Sequence, residues 1–125
     1  MSEKLGKHVT IDLWNVDRFF LEDAEYIEET LRLAARATGA TVLDSVFHYT
    51  PYQSHEGSFY GVTGVLILLE SHAALHSWPE KGYCAIDMFT CGDCDPVKGL
   101  PTIQERFQTE NVTIRSFSRG IELGF

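Results

Sequence analysis

The sequence predicts an α/β domain of the α+β type, a two-layer sandwich with a mostly antiparallel sheet and two helices on one face. Three observations carry this. Segments with apolar residues at every second position recur along the chain. Two segments with helical character interrupt them. Four strand-like segments lie between those helices, so the order β-α-β-β-β-β-α-β gives a mostly antiparallel sheet.

The first strand is His8 to Trp14, with Val9, Ile11 and Leu13 on one face. Asp17 can cap the next segment. From about Phe19 to Thr38, Phe20, Ala24, Ile27, Leu31, Ala34 and Ala35 recur at helical spacing, and Gly39 is the expected stop. Glu22, Asp23 and Glu25 suit the first turn of this helix, and Arg32 and Arg36 its last. Thr41 to Tyr49 is a second strand. Thr50 to Tyr60 contains Pro, Gly, Ser and Gln without periodicity, which predicts an exposed loop. Val62 to Leu69 is an aliphatic run, read as a central strand buried on both faces, and His72 to Ser77 as the next strand. Gly82 to Thr90 is a further strand. Asp95 and Pro96 can open a helix that runs to about Gln108, and Asn111 to Phe117 ends the sheet.

At 125 residues the chain is long enough for one domain with a substantial core, and no linker divides it. Its formal charge of −8 argues against a nucleic-acid or anionic-membrane partner. No stretch reaches the length of a membrane span, and Met1-Ser2-Glu3-Lys4 does not read as a signal peptide. Three cysteines, an odd number, fit free thiols in a reducing cytoplasm. A cytoplasmic location is therefore expected.

Chemistry concentrates where the aliphatic run ends. Glu70, Ser71 and His72 stand in succession where more core would be expected, followed by His76, Trp78 and Glu80. Buried polar groups cost free energy unless hydrogen-bonded, so the cluster calls for a purpose beyond packing. Several chemistries fail. Cys91 and Cys94 form one C-x-x-C pair without a second, a weak zinc signal, and no metal is expected. The pair does not open a helix after the first strand, as a thioredoxin-like site would. Ser71 lacks a G-x-S-x-G elbow. Nothing in the sequence makes Glu70 and Glu80 face one another as glycosidase carboxylates.

The motifs Gly6-Lys7-His8, Gly39-Ala40-Thr41, Phe47-His48, Gly61-Val62-Thr63-Gly64-Val65 and Glu70-Ser71-His72 occur in this order. They are followed by His76-Ser77-Trp78-Pro79-Glu80, Gly82-Tyr83, Ala85-Ile86-Asp87 and Phe89-Thr90-Cys91-Gly92. Together they resemble the prokaryotic S-adenosylmethionine decarboxylase proenzymes over nearly the whole chain. The resemblance implies a proenzyme that cuts itself between Glu70 and Ser71. The products are a β chain of residues 1–70 and an α chain of 71–125, with Ser71 converted to a covalent pyruvoyl cofactor. His76 takes the family's place of processing base. Thr63 stands where the family usually has Ser, which keeps the hydroxyl. Cys91 matches the thiol that reprotonates the substrate α-carbon. Cys84 reads as core and Cys94 as incidental.

The resemblance also implies a homodimer of processed protomers with shared sites, acting on a small-molecule substrate. Glu80 matches the carboxylate that binds ribose hydroxyls. The family's adenine-stacking aromatic aligns with Thr50, so Tyr49, Tyr52, Phe59 or Tyr60 is expected to supply the ring. S-adenosylmethionine is the expected substrate, in a route to spermidine. Ornithine or arginine is the alternative on the same scaffold. A non-catalytic regulatory homologue is a further reading, against which the intact Glu70-Ser71-His72, His76 and Cys91 set speaks.

Overall fold

The computed structural model describes residues 4–54 and 57–122. Six strands form one sheet in the order β2-β3-β4-β5-β1-β6, and every neighbouring pair is antiparallel. The strands are β1 (Gly6–Leu13), β2 (Val42–Ser54), β3 (Gly57–Leu68), β4 (Ser71–Trp78), β5 (Tyr83–Cys91) and β6 (Val112–Arg119). The helices are α1 (Arg18–Leu21), α2 (Ala24–Ala37) and α3 (Leu100–Phe107), the last preceded by a 3₁₀ turn over Pro96–Gly99. Another 3₁₀ turn, Pro79–Lys81, joins β4 to β5.

The alternation expected for β1 holds. Val9, Ile11 and Leu13 are fully buried against Ile27, Leu31, Ala34 and Ala35 of α2 and Ile103 and Phe107 of α3. Tyr26 ties the two helices, donating its hydroxyl to the Arg106 carbonyl at 2.6 Å while the Arg106 guanidinium lies 3.9 Å over its ring. Cys84 is fully buried in this core, as the sequence implies.

Three sequence expectations need correction. The helix expected from Phe19 to Thr38 is broken: Asp17 caps α1, and Asp23 caps α2 afresh by accepting from the Tyr26 N–H at 3.1 Å. Of the acidic residues expected in the first turn, Asp23 is instead the α2 cap and Glu22 ends α1, while Glu25 does lie in the first turn of α2. Thr50 to Tyr60 is not a loop. Thr50↔Gly61, Pro51↔Tyr60, Tyr52↔Phe59 and Ser54↔Gly57 continue the β2–β3 ladder into a two-stranded arm beyond the end of β4. Pro51 is tolerated because β2 is an edge strand. Lastly, β3 is not buried on both faces. Val62, Leu66 and Leu68 are buried beneath the helices, but Ile67 on the other face is 46% exposed.

That other face organises the molecule's chemistry. It carries His8, Thr10 and Asp12 of β1, Thr63 and Ile67 of β3, His72, His76 and Trp78 of β4, and Tyr83, Asp87 and Phe89 of β5. Each of these alternates with the residues buried under the helices. Among the described residues no helix covers it. Its apolar members Val46, Ile67 and Phe117 are about half exposed.

Candidate active site

A two-residue turn, Leu69-Glu70, joins β3 to β4, with Leu68 paired to Ser71. Three contacts pin it. The Leu69 N–H donates to the Thr41 carbonyl at 2.9 Å, and the Thr41 N–H donates to Glu70 Oε1 at 2.9 Å. The Cys91 N–H donates to the Glu70 carbonyl oxygen at 3.1 Å, so a donor already faces the oxygen that would gain charge if this carbonyl were attacked. Ser71 has φ of 144°, a region that residues with a side chain rarely occupy, at a cost of about 1–3 kcal/mol. Its Oγ lies 3.0 Å from His72 Nδ1. Glu70, Ser71 and Cys91 are thus brought together, with the Cys91 residue exposed at the end of β5.

A second cluster sits farther along β4. His76 Nδ1 is 2.6 Å from Thr63 Oγ1, which is 3.2 Å from Thr50 Oγ1. The Trp78 ring meets His76 edge-on at 4.2 Å, and Trp78, Tyr83 and Trp14 stack behind it. Burial lowers the His76 pKa below its usual 6.5, with the charge of nearby Glu80 pulling the other way. Burial, aided by donation to Asp12 at 2.6 Å, pushes the Tyr83 hydroxyl up to about 12.

Thr63, His76 and Glu80 therefore form a group of their own. Ser71 and His76 are five residues apart on a continuous strand. At about 3.3 Å per residue their backbones are roughly 16 Å apart, too far for direct proton transfer within one chain.

Tyr49 is on the opposite face, where its hydroxyl accepts from the Ala24 N–H at 3.3 Å. Together with Tyr60, Arg18 and Glu22 it lines a groove of about 480 Å³. The structure does not bring it to His76. Tyr52 and Phe59 pair in the arm, but their side chains lie outside what is described. Cys94 is half-buried in the turn after β5, its thiol pushed up by burial and then by Glu70, Cys91 and Asp93. Among the described residues no group of three or more His, Cys, Asp or Glu is placed to hold a metal ion, and no helix is long and apolar enough to cross a membrane.

Sequence reasoning assigned no role to a row beside Ser71. His72, Phe89, His8 and Phe117 occupy matched positions on β4, β5, β1 and β6. His8 Nε2 lies 3.2 Å from Asp87 Oδ1, and Arg119 donates to His8 Nδ1 at 3.3 Å. The Phe89 ring leans over Gly6, where a Cβ would meet it at 2.5 Å. The motif Gly6-Lys7-His8 was the available signal, without showing what its parts touch.

Fold and site together define a small α+β enzyme domain with its polar chemistry on one uncovered sheet face. Residues 7–120 match the family model for S-adenosylmethionine decarboxylase, and the chain belongs to that family, as its motifs imply. The family consists of pyruvoyl-dependent carboxy-lyases made as proenzymes. The chain is 39% identical over 121 residues to an S-adenosylmethionine decarboxylase proenzyme of Thermomicrobium roseum, covering 95% of this chain and 97% of that one. It is 42% identical over 118 residues to the corresponding proenzyme of Pelotomaculum thermopropionicum, covering 94% and 88%. A crystal structure of adenosylmethionine decarboxylase from Aquifex aeolicus superposes with a TM-score of 0.78 at 29% identity, covering 98% of this chain and 97% of that one.

Proposed function

We propose that this chain is a self-processing S-adenosylmethionine decarboxylase acting as a homodimer, with each site shared between two copies. The observation that carries the reading is the division of the chemistry into two clusters at opposite ends of β4, whose His72 and His76 both lie on the uncovered face. Ser71 and Cys91 are at one end, Thr63, His76 and Glu80 at the other. A two-fold axis parallel to that face, crossing β4 at right angles between the clusters, lays the second copy's His76 over the Ser71 end, and the same operation completes the other site. Ile67, Val46 and Phe117 supply apolar area for such an interface.

In processing, Ser71 Oγ attacks the Glu70 carbonyl carbon, helped by proximity and by relief of the backbone strain at Ser71. The Cys91 N–H stabilises the charge on the Glu70 oxygen. His76, neutral because burial lowers its pKa, then removes the Ser71 Cα proton, and Thr63 holds its ring. The ester C–O bond breaks, the chain separates into residues 1–70 ending in a carboxylate and 71–125 beginning with dehydroalanine, and the latter takes up water and loses ammonia. The pyruvoyl group so formed at residue 71 supplies a carbonyl electron sink for loss of CO2. Glu80 accepts from the ribose hydroxyls, an aromatic side chain of the arm stacks on adenine, and the Cys91 thiol returns a proton to the α-carbon. The three free cysteines fit a cytoplasmic enzyme.

Two measurements test this. Purified protein runs as two fragments on a denaturing gel, and the processed form releases CO2 from carboxyl-labelled S-adenosylmethionine. Release from ornithine or arginine alone would overturn the substrate while leaving the mechanism intact. A chain that stays whole would overturn both.

A further inference from the structure

We propose that His72 is the base that takes the Ser71 hydroxyl proton in the first step of processing, a separate job from that of His76. The proposal rests on the reading of Ser71 as the internal nucleophile. His72 Nδ1 lies 3.0 Å from Ser71 Oγ, within reach for direct transfer. Accepting that proton requires the lone pair on Nδ1, so the neutral ring carries its hydrogen on Nε2.

The other described imidazoles on this face are placed elsewhere, His48 among them, opposite Thr63 on β2 at the far end from Ser71. His76 Nδ1 is held by Thr63 at 2.6 Å, roughly 16 Å along the strand from Ser71. His8 is blocked on both nitrogens. Arg119 can only donate, so the 3.3 Å contact leaves His8 Nδ1 as acceptor and Nε2 as donor to Asp87. Its two faces are stacked by Phe89 and Phe117, on the strands that flank it. Thus pinned, His8 serves as a wall. The His72 ring stands nearly perpendicular to it at 6.4 Å and packs edge-to-face on Phe89 at 5.9 Å. The wall limits how far the His72 ring can swing from Ser71.

The step balances within the chain. The Ser71 hydroxyl proton passes to His72 Nδ1 as Oγ bonds to the Glu70 carbonyl carbon. As the Glu70–Ser71 C–N bond breaks, the same proton passes to the departing Ser71 nitrogen. An amide becomes an ester with no net gain or loss of atoms or electrons. His76 is needed only afterwards, for the Cα proton, so one histidine makes the ester and the other consumes it.

That order sets the test. In His76→Ala, the ester at Glu70 should persist, and hydroxylamine should cut it. The products are residues 1–70 ending in a hydroxamate and residues 71–125 beginning with free serine, both identified by mass. Adding His72→Gln should slow appearance of the hydroxylamine-cleavable chain by about 100-fold or more, within the range for general-base catalysis. Equal rates in the single and double variants would overturn the proposal. Thermal unfolding checks that the double variant is folded. If it is not, His72→Ala with His76→Ala replaces it, where added imidazole should restore ester formation in proportion to its concentration. Ester formation in that variant that is fast without imidazole would equally overturn the role. If folded His76→Ala yields no cleavable ester, the reading of Ser71 itself fails, and the role of His72 falls with it.

Discussion

If each site combines Ser71 of one copy with His76 of another, two dead variants should repair each other. Ser71→Ala has no nucleophile and His76→Ala has no elimination base, so each alone should stay uncut. A mixed dimer holds one site with Ser71 and His76 both intact and one with neither. Random pairing of equal amounts places about half of the His76→Ala chains opposite a Ser71→Ala partner, as isologous two-fold symmetry requires. About half of the His76→Ala chains should then be cut, and none of the Ser71→Ala chains. The geometry behind the figure is the five-residue separation along β4, roughly 16 Å at a strand's rise. Co-expression with distinct tags and a denaturing gel reads both fractions. Exchange after purification gives the same endpoint if the dimers re-equilibrate. No cutting in verified mixed dimers would refute the shared site, because His76 would then act only on its own chain. Cutting of Ser71→Ala chains would refute Ser71 as the nucleophile.

Three further outcomes rest on specific contacts. Ser77 is fully buried, accepting from the Val62 N–H at 2.9 Å and donating to the Leu21 carbonyl at 2.8 Å. Ser77→Ala orphans both groups at about 1–3 kcal/mol each, so in the uncut Ser71→Ala chain calorimetry should show Tm lower by roughly 8–20 °C. A shift under about 3 °C would mean that water or relaxation satisfies them. The proposed elimination step needs neutral His76, whose pKa is lowered by burial against an opposing contribution from Glu80. The elimination step, read as loss of the hydroxylamine-cleavable ester, should keep its rate below pH 6.5 before slowing as His76 protonates. Glu80→Gln removes the opposing charge and should move that acid limb to still lower pH in gel-based rate measurements. Movement to higher pH would contradict the assignment. Cys91→Ala keeps the backbone N–H that faces the Glu70 carbonyl, so the chain should cut normally yet release CO2 poorly. Defective cutting would give the thiol a role in processing as well.

The strands, the two helical regions and the Ser71 turn were legible because they are local facts of periodicity and caps. The Asp23 cap was hidden because an acidic first turn and an acidic cap have the same composition. The arm was hidden because Pro51 and Gly57 signal a loop unless the segment lies at a sheet edge, a tertiary fact. The side of the sheet that Tyr49 occupies was hidden too, since the register of β2 shifts between Val42 and Asp44 and a shift of one residue exchanges faces. The central strand is more informative. An aliphatic run such as Val65-Leu66-Ile67-Leu68 ordinarily means burial on both faces, yet one chain covers only one of them. The same uncovered face carries Thr63 and His76 on one side and His72 on the other, neither group complete alone. The proposed second copy, laid across that face, would cover the apolar residues and complete both sites. On this account the two-sided aliphatic pattern describes the assembled enzyme, and Ile67→Glu should dissociate the dimer and abolish processing together, as light scattering and a gel of the same sample would show.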